Sequence, residues 1–516
     1  MILFWLCLIA FVVSTLALAV YGLHLYVLLY LFRRRAAGKR EEQRRTIDAY
    51  TRDRQPHDWP VVTTQIPIYN EKDVIARVLT AAAAMDYPTG RHEIQVLDDS
   101  DDDTRDLVDD LAARIRSRGA DVQVIRRANR AGYKAGALAY GLTLARGTHV
   151  AIFDADFVPP ADFLRVSVPL IEASPDLACV QGRWAHLNRH ESWLTESQAL
   201  GIDGHFAVEQ GARAWNGLMM NFNGTAGIWR KAAIDDPKVG GWSGDTLTED
   251  LDLSYRAQLA GWKLDYCLDL ACPAELPGTV NALKGQQRRW ATGSIQVAIK
   301  LLPRIWRSPI SVGEKIEATL HLTHYSVAVW MLVLALLARP MLFAFVDARF
   351  FTNWAWFAWG AIYFSAVAPS LVYIYARYSL EGRWSGVRTI PGMMILGCGF
   401  CVNNTLAVFR GLTLRGGAFV RTPKSGSVGT SARASSYSAM QSKMWLIEIG
   451  LGLYSLASFA IYMTAEYRAF SLFLLLYAVG LCLTGWLSRP VRVGVGALTS
   501  GIAPEPPPLR PAVCES

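Results

Sequence analysis

Three clusters of residues in this chain have the types and spacing to do chemistry. Asp154-Ala155-Asp156 places two carboxylates on alternate residues after the apolar run His149–Phe153. At the end of an extended strand both can face one cation, and hard oxygen ligands suit Mg²⁺ or Mn²⁺ that also carries a diphosphate. A lone Asp-x-Asp also suits an acidic turn; its position after a strand favours the cation. The second cluster is Thr248-Glu249-Asp250-Leu251-Asp252. Thr246 and Glu249 have the spacing of a capping box, which predicts a helix start with acidic groups at its positive end. A carboxylate held there, Asp250 or its neighbour Glu249, is a candidate general base, and a helix cap is the alternative role. The third cluster, Gln286-Gln287-Arg288-Arg289-Trp290, sets guanidinium groups beside an indole. That combination suits an anionic leaving group next to a sugar ring.

The elements that position these clusters follow from the pattern between them. Short β-branched runs at Val61–Ile66, Glu93–Leu97, Val122–Ile125 and His149–Phe153 alternate with helical stretches. Alternation of this kind predicts a mostly parallel, twisted α/β sheet covered on both faces. The runs end in Pro67-Ile68-Tyr69-Asn70-Glu71, Asp98-Asp99-Ser100, Arg126-Arg127 and Asp154-Ala155-Asp156. Ligands of such sheets bind outside the carboxyl ends of the strands, so these four ends are expected to share one crevice. Lys134, flanked by Gly132 and Gly136, is placed to meet phosphate, although a surface lysine would look the same in sequence. No GxGxxG fingerprint is present, which argues against a dinucleotide site.

Composition adds a second environment. Of the 516 residues, 52% are hydrophobic and the mean hydropathy is +0.19, as expected when part of a chain lies in lipid. Residues 1–32 are apolar for long enough to span about 30 Å of hydrocarbon. Arg33-Arg34-Arg35 follows where a cleavable leader would carry a small-residue site, so this reads as a signal-anchor helix. The arginines place the remainder of the chain in the cytoplasm, at a plasma or inner membrane. Residues 33–58 read as a basic linker. Apolar runs at 318–337, 354–375, 444–463 and 470–487 bring the expected spans to about five. Thr389–Phe409, broken by Pro391, Gly392, Gly397 and Gly399, is expected to be re-entrant or interfacial. The Pro-rich tail 489–516 reads as disordered.

Other classes fit poorly. The net charge of +8 lies beside apolar runs, facing membrane lipids, and no basic module interleaved with aromatics suggests nucleic acid. Cys398 and Cys401 form one CxxC without a second pair, and packing explains them better than zinc or redox use. His321 and His324 likewise read as packing.

The order of these motifs resembles that of the family 2 glycosyltransferases with a GT-A fold. Gln286-Gln287-Arg288-Arg289-Trp290 matches the QxxRW signature of the membrane-bound processive members. Val180-Gln181-Gly182-Arg183-Trp184, Phe222-Asn223-Gly224-Thr225-Ala226-Gly227 and Gly240-Gly241-Trp242 look most like the cellulose synthase-like mannan and glucan synthases. The resemblance implies a GT-A domain over 59–310, set between the first membrane helix and a bundle of transmembrane and interfacial helices over 311–488. It implies that Pro67, Tyr69 and Glu71 line the nucleobase pocket, that Asp98 and Asp99 hold the nucleoside, and that Lys134 supports the donor. Asp154 and Asp156 would coordinate the metal-diphosphate, and Asp250 would be the base. Gln286, Arg289 and Trp290 would bind the diphosphate and the terminal sugar of the acceptor, with Glu249 beside them. Phe419–Lys424 is similar to the gating loop of cellulose synthase, but Val420 stands one place early and Arg421 precedes Thr422. The implied activity is inverting, processive extension of a β-linked mannan, glucomannan or glucan from GDP-mannose or UDP-glucose. A glycolipid-forming transferase, and a transporter with a degenerate sugar-nucleotide domain, are the competing readings. The oligomeric state stays open.

Overall fold

The computed structural model describes residues 2–347, 352–384, 386–413, 416, 417, 422, 424, 426, 443–464 and 471–490. Most of the gating-like loop 419–426 and residues 491–516 of the tail lie outside them. A seven-stranded sheet forms the centre of the soluble half, with strands β1 (Val62–Ile68), β2 (His92–Asp98), β3 (Asp121–Ile125), β4 (His149–Ile152), β5 (Leu177–His186), β6 (Gly227–Arg230) and β7 (Lys263–Ala274). Their order is β3-β2-β1-β4-β6-β5-β7. The first four are parallel, as the β-branched runs predict, in a register that sets Thr64 opposite Ile94 and Ala151. β6 runs antiparallel to both neighbours, and β7 returns parallel to β5. The chain moves outward from β1 to β3 and then restarts on the other side of β1. The switch point therefore lies between β1 and β4, and their carboxyl ends carry Tyr69–Glu71 and Asp154–Asp156.

Buried Ile66, Ile94, Val96, Ala151 and Phe153 pack one face of the sheet against buried Val78, Leu79 and Val108. The other face packs through Leu138, Ile152, Phe206, Trp229 and Leu253. Polar strand residues are paired within the sheet: the Thr63 hydroxyl donates to Glu93 Oε1 at 2.8 Å. Such pairing is what lets a fully buried strand carry threonine.

The N-terminal helix, α1 (Ile2–Asp53), is one piece of 52 residues. At 1.5 Å per residue it is about 78 Å long, far beyond a bilayer's hydrocarbon. Its first part exposes Leu3, Trp5, Leu6, Ile9 and Leu16, an apolar surface that water does not tolerate. Residues 33–53 are therefore not a linker but the continuation of this helix. They dock on β7, where Arg40 Nε donates to Asp269 at 3.0 Å and Gln43 to the Tyr266 carbonyl at 3.0 Å.

Among the described residues three helical runs are long and apolar enough to cross a membrane: Ile2–Asp53, Val312–Met341 and Met444–Thr464. A fourth arises if Val387–Gly399 and Cys401–Thr413, bent by 48° at their junction, count as one broken span. That bend falls inside the stretch expected to be re-entrant. Helices Thr352–Glu381 and Ser471–Leu487 complete the bundle, the latter apolar but short.

Candidate active site

Three of the four strand ends expected to meet contribute to one cleft, while Arg126 and Arg127 at the end of β3 stay out of its lining. Pro67, Tyr69, Glu71, Asp99, Lys134, Asp154, Asp156, Glu249, Asp250, Gln286, Arg289 and Trp290 line a single cleft. Asp98 does not. Its side chain is buried beneath the cleft, accepting from Arg126 Nε at 2.8 Å and from the Ser100 amide at 3.0 Å. Away from the cleft lining, this paired carboxylate shapes the loop. Asp99 lies at the cleft wall in a bidentate pair with Arg127, whose guanidinium also donates to the Ala131 and Tyr133 carbonyls.

Among the described residues three other than glycine adopt positive φ, Asn70 (56°), Tyr133 (48°) and Ala226 (54°), and the first two adjoin the cleft residues Tyr69, Glu71 and Lys134 in sequence. Strain of this kind persists only where the surroundings fix it, and it gathers at binding sites. Asn70 is fixed by its side chain on Asp101 at 2.8 Å and its amide on Ser100 at 2.9 Å. The turn presents the Tyr69 ring, over which the Arg130 guanidinium sits at 3.2 Å. Arg130 is a cleft residue that sequence reasoning did not single out.

Lys134 is the central cation. Its Nζ lies 2.6 Å from Asp154 Oδ1, 2.9 Å from the Gly224 carbonyl and 3.7 Å from Glu249. Although burial would lower it, the charges of Asp154 and Glu249 raise its pKa, so it stays an ammonium. Burial, opposed by Lys134 and helped by Asp156, raises the Asp154 carboxyl above its ordinary value. Lys424, from the segment between Thr413 and Met444, lies 2.8 Å from Asp156 Oδ2 and also donates to the Glu275 carbonyl. Each carboxylate of the pair thus already holds a positive charge. Among the described residues no group of three or more His, Cys, Asp or Glu side chains closes around a metal. Two carboxylates facing an open cleft fit Mg²⁺ or Mn²⁺, which bind through one or two carboxylates plus phosphate oxygens and water.

The candidate base Asp250 stands in the first turn of the helix Glu249–Leu259. The capping box expected from Thr246 and Glu249 does not form: Thr248 is the N-cap residue, its side chain makes no capping bond, and Glu249 is the first helical residue. Asp250 Oδ1 instead accepts from the Leu251 amide at 2.8 Å. Burial, then the Glu249 charge, pushes the Asp250 carboxyl up to about 7 against the pull of Lys134. A base poised near neutral pH is what proton abstraction from a hydroxyl asks for. Gly224, at φ +79°, passes directly over this group, and a Cβ there would sit 2.8 Å from Asp250 Oδ2 and 3.2 Å from Lys134 Nζ.

The helix Val280–Arg307 supplies the remaining wall, started by Thr279 accepting from the Ala282 amide. Its two arginines separate. Arg288 turns away to Asn403 at 3.0 Å. Arg289 faces the cleft, where burial lowers its pKa while Asp154, Glu249, Asp250 and Asp156 oppose that. Trp290 lies 6.3 Å from Trp184, centroid to centroid, and the two rings form an apolar shelf beside the carboxylates. His186, Asn223 and Glu275 also line the cleft. Their signal was weak: each lies in or beside the late strands β5, β6 and β7, which no periodicity announced.

A mixed sheet with a cleft at its switch point thus brings together an acidic pair on one strand end and a carboxylate on the facing helix. Residues 60–293 match the family model described as glycosyltransferase like family 2. The chain is 44% identical over 255 residues, 49% of its length and 47% of the relative's, to glucomannan 4-beta-mannosyltransferase 2 of Arabidopsis thaliana. It is 39% identical over 264 residues, half of each chain, to glucomannan 4-beta-mannosyltransferase 1 of Oryza sativa subsp. japonica. The chain spans about half the length of the curated relatives it matches. Among solved structures, a mannosyltransferase from Pyrobaculum calidifontis in complex with GDP-Man and Mn²⁺ is similar over 76% of this chain and 99% of its own, at 19% identity and a TM-score of 0.46.

Proposed function

We propose that the protein is a membrane-embedded, inverting hexosyltransferase. It extends a β-linked polysaccharide, a 4-linked mannan or glucomannan from GDP-mannose, or a glucan from UDP-glucose. The observation that carries this reading is the convergence of Asp154, Asp156, Asp250, Arg289 and Trp290 on one cleft. The names of the plant relatives support the mannan side of it.

In this reading Pro67, Tyr69, Glu71 and Asp99 enclose the nucleoside, and Lys134 and Arg289 face the diphosphate. Asp154 and Asp156 hold Mg²⁺ or Mn²⁺, which when bound offsets the negative charge that develops on the leaving diphosphate. Gln286, Trp184 and Trp290 seat the acceptor sugar. Asp250 takes the proton of the acceptor hydroxyl as its oxygen bonds to the anomeric carbon. The bond from that carbon to the diphosphate oxygen breaks on the opposite face, and the nucleoside diphosphate leaves. One displacement inverts the anomeric centre. The catalytic domain faces the cytoplasm of a plasma or inner membrane, and the helices after Arg307 lead the growing chain away.

The test supplies GDP-mannose or UDP-glucose with Mn²⁺ to purified, folded protein and sizes the product after β-mannanase and β-glucanase digestion. A ladder that one of these enzymes removes supports the reading. A single sugar on a lipid moves it to the glycolipid-forming class, and nucleotide release without transfer ends it.

A further inference from the structure

A second cavity, of about 330 Å³, lies among the membrane helices. It is walled by α1, by the runs Val312–Met341 and Thr352–Glu381, by Ile390–Gly399, and by the last two helices. Among the described residues no charged side chain lines it. Six lining residues carry hydroxyls: Tyr21, Ser365, Ser370, Tyr373, Tyr462 and Tyr477. Four of these are taken up by the wall itself. Tyr21 donates to the Thr323 carbonyl at 3.0 Å, Ser365 to Ala361 at 2.7 Å, Tyr462 to Ala338 at 2.7 Å and Tyr477 to Met331 at 3.0 Å. The cavity is thus offered rings, methyls and methionine sulfur. Only Ser370 and Tyr373 keep hydroxyls without such a partner among the described residues, and the Tyr373 ring packs on Gly204.

This surface is wrong for a sugar polymer. Each hexose brings hydroxyls, and burying a hydroxyl without a hydrogen-bond partner is costly. It suits a hydrocarbon chain, which fills an apolar cavity among helices that lie in lipid and needs only contacts. The four lining methionines, Met331, Met341, Met393 and Met394, adapt to whatever chain enters.

We propose that this cavity binds the hydrocarbon chain of a membrane lipid, and that it is not the path of the glycan. The end near Gly204 is the end toward the catalytic domain. There a Cβ on Gly201 would meet Met393 Cε at 2.8 Å, and one on Gly204 would meet Tyr373 Cδ1 at 2.6 Å. Ile202, between these two glycines, lines the catalytic cleft. One helical turn therefore separates the two cavities. The inference rests on the helices lying in a membrane and not on the sugar transferred, so an inactive preparation leaves it intact.

The experiment labels full-length protein with phosphatidylcholine bearing a diazirine on one acyl chain, and in parallel with a diazirine-bearing β-1,4-mannohexaose. Adducts are mapped by mass spectrometry. The lipid probe is expected to mark Met331, Met393 or Met394. Adducts there fall at least fivefold in Ala335→Trp or Ala366→Phe, which fill the cavity, while those at outward-facing Leu453 and Leu456 persist. Two variants on different helices keep the test usable if one does not fold. Lipid adducts confined to Leu453 and Leu456, yields unchanged in whichever filled variants fold, or glycan adducts at Met393 or Met394 would each overturn the proposal.

Discussion

Lys424 Nζ lies 2.8 Å from Asp156 Oδ2, so a cation from the segment after Thr413 occupies the second carboxylate of the acidic pair. The same carboxylate is one of the two proposed to hold a divalent metal. The two positive charges compete unless the lysine moves. A charge-assisted hydrogen bond of this type contributes about 1.5–3 kcal/mol net. Lys424→Met is therefore expected to tighten Mn²⁺ binding without nucleotide by about tenfold, since 1.4 kcal/mol is a factor of ten. Titration of the free-ion paramagnetic resonance signal measures this. Lys424→Arg keeps the charge and is expected to leave the affinity near wild type. Equal affinities for all three proteins would mean that the lysine leaves Asp156 at no cost.

As the proposed base, Asp250 is expected to set the acid limb of the pH–rate profile. Burial and the adjacent Glu249 push its carboxyl up to about 7, and only the deprotonated form accepts a proton. With donor saturating, turnover is expected to rise as pH increases through about 7 and to lose about tenfold per unit below that value. Asp250→Asn removes the base and is expected to lower turnover by about 10²–10⁴-fold while leaving donor affinity within a few-fold. Glu249→Gln withdraws the charge that raises Asp250, so its acid limb moves to lower pH. A limb that moves with neither substitution belongs to another group.

Much of this site was legible because the residues that carry it stand at the ends of elements. Strands β1 to β4 are short apolar runs, and the reactive groups Tyr69, Asp99 and Asp154 follow them directly. What sequence could not supply was pairing across the fold. Asp98 and Asp99 are adjacent and alike. Each pairs with an arginine 28 residues on, Asp98 with Arg126 and Asp99 with Arg127, and only Asp99 lies at the cleft wall. Arg288 and Arg289 divide in the same manner, one to Asn403 and one to the carboxylates. β6 is only four residues long, too short for an alternating pattern to announce it. The basic stretch 33–53 looked like a linker because its partners, Asp265 and Asp269, lie more than 200 residues away.

Asp203 makes stability fall in acid. It is fully buried, and burial alone would raise its pKa. Hydrogen bonding to His186 and the charges of His186 and Arg189 outweigh that and hold it at about 2, and Arg377 pairs with the same carboxylate at 3.2 Å. An unfolded aspartate titrates near about 3.9. Because the folded value is the lower one, the stabilisation is complete above the unfolded pKa and is lost as pH falls from about 4 to about 2. The gap corresponds to about 2–3 kcal/mol. The melting temperature of the detergent-solubilised protein is expected to drop across that window. In Asp203→Asn it should already be lower at neutral pH, because Arg189 and Arg377 lose a buried counter-charge, and this part of the acid dependence should vanish.

Lys284 lies two residues before Gln286 and anchors the helix that carries Arg289 and Trp290. Its Nζ is 2.5 Å from Glu448 Oε2 and 2.7 Å from the Ser488 hydroxyl, so one buried ion pair ties this helix to the last two membrane helices. Both side chains are nearly inaccessible. Breaking a buried pair from one side leaves a bare charge and costs about 3–5 kcal/mol, whereas replacing both partners with apolar groups is often close to neutral. Lys284→Met and Glu448→Leu are each expected to lower the melting temperature strongly, and the double variant to recover most of the loss. Recovered stability separates two roles for the pair. If the double variant melts like wild type but its KM for donor rises, the ion pair positions Arg289 and Trp290 over the cleft. If KM is also restored, the pair serves only to hold the helices together.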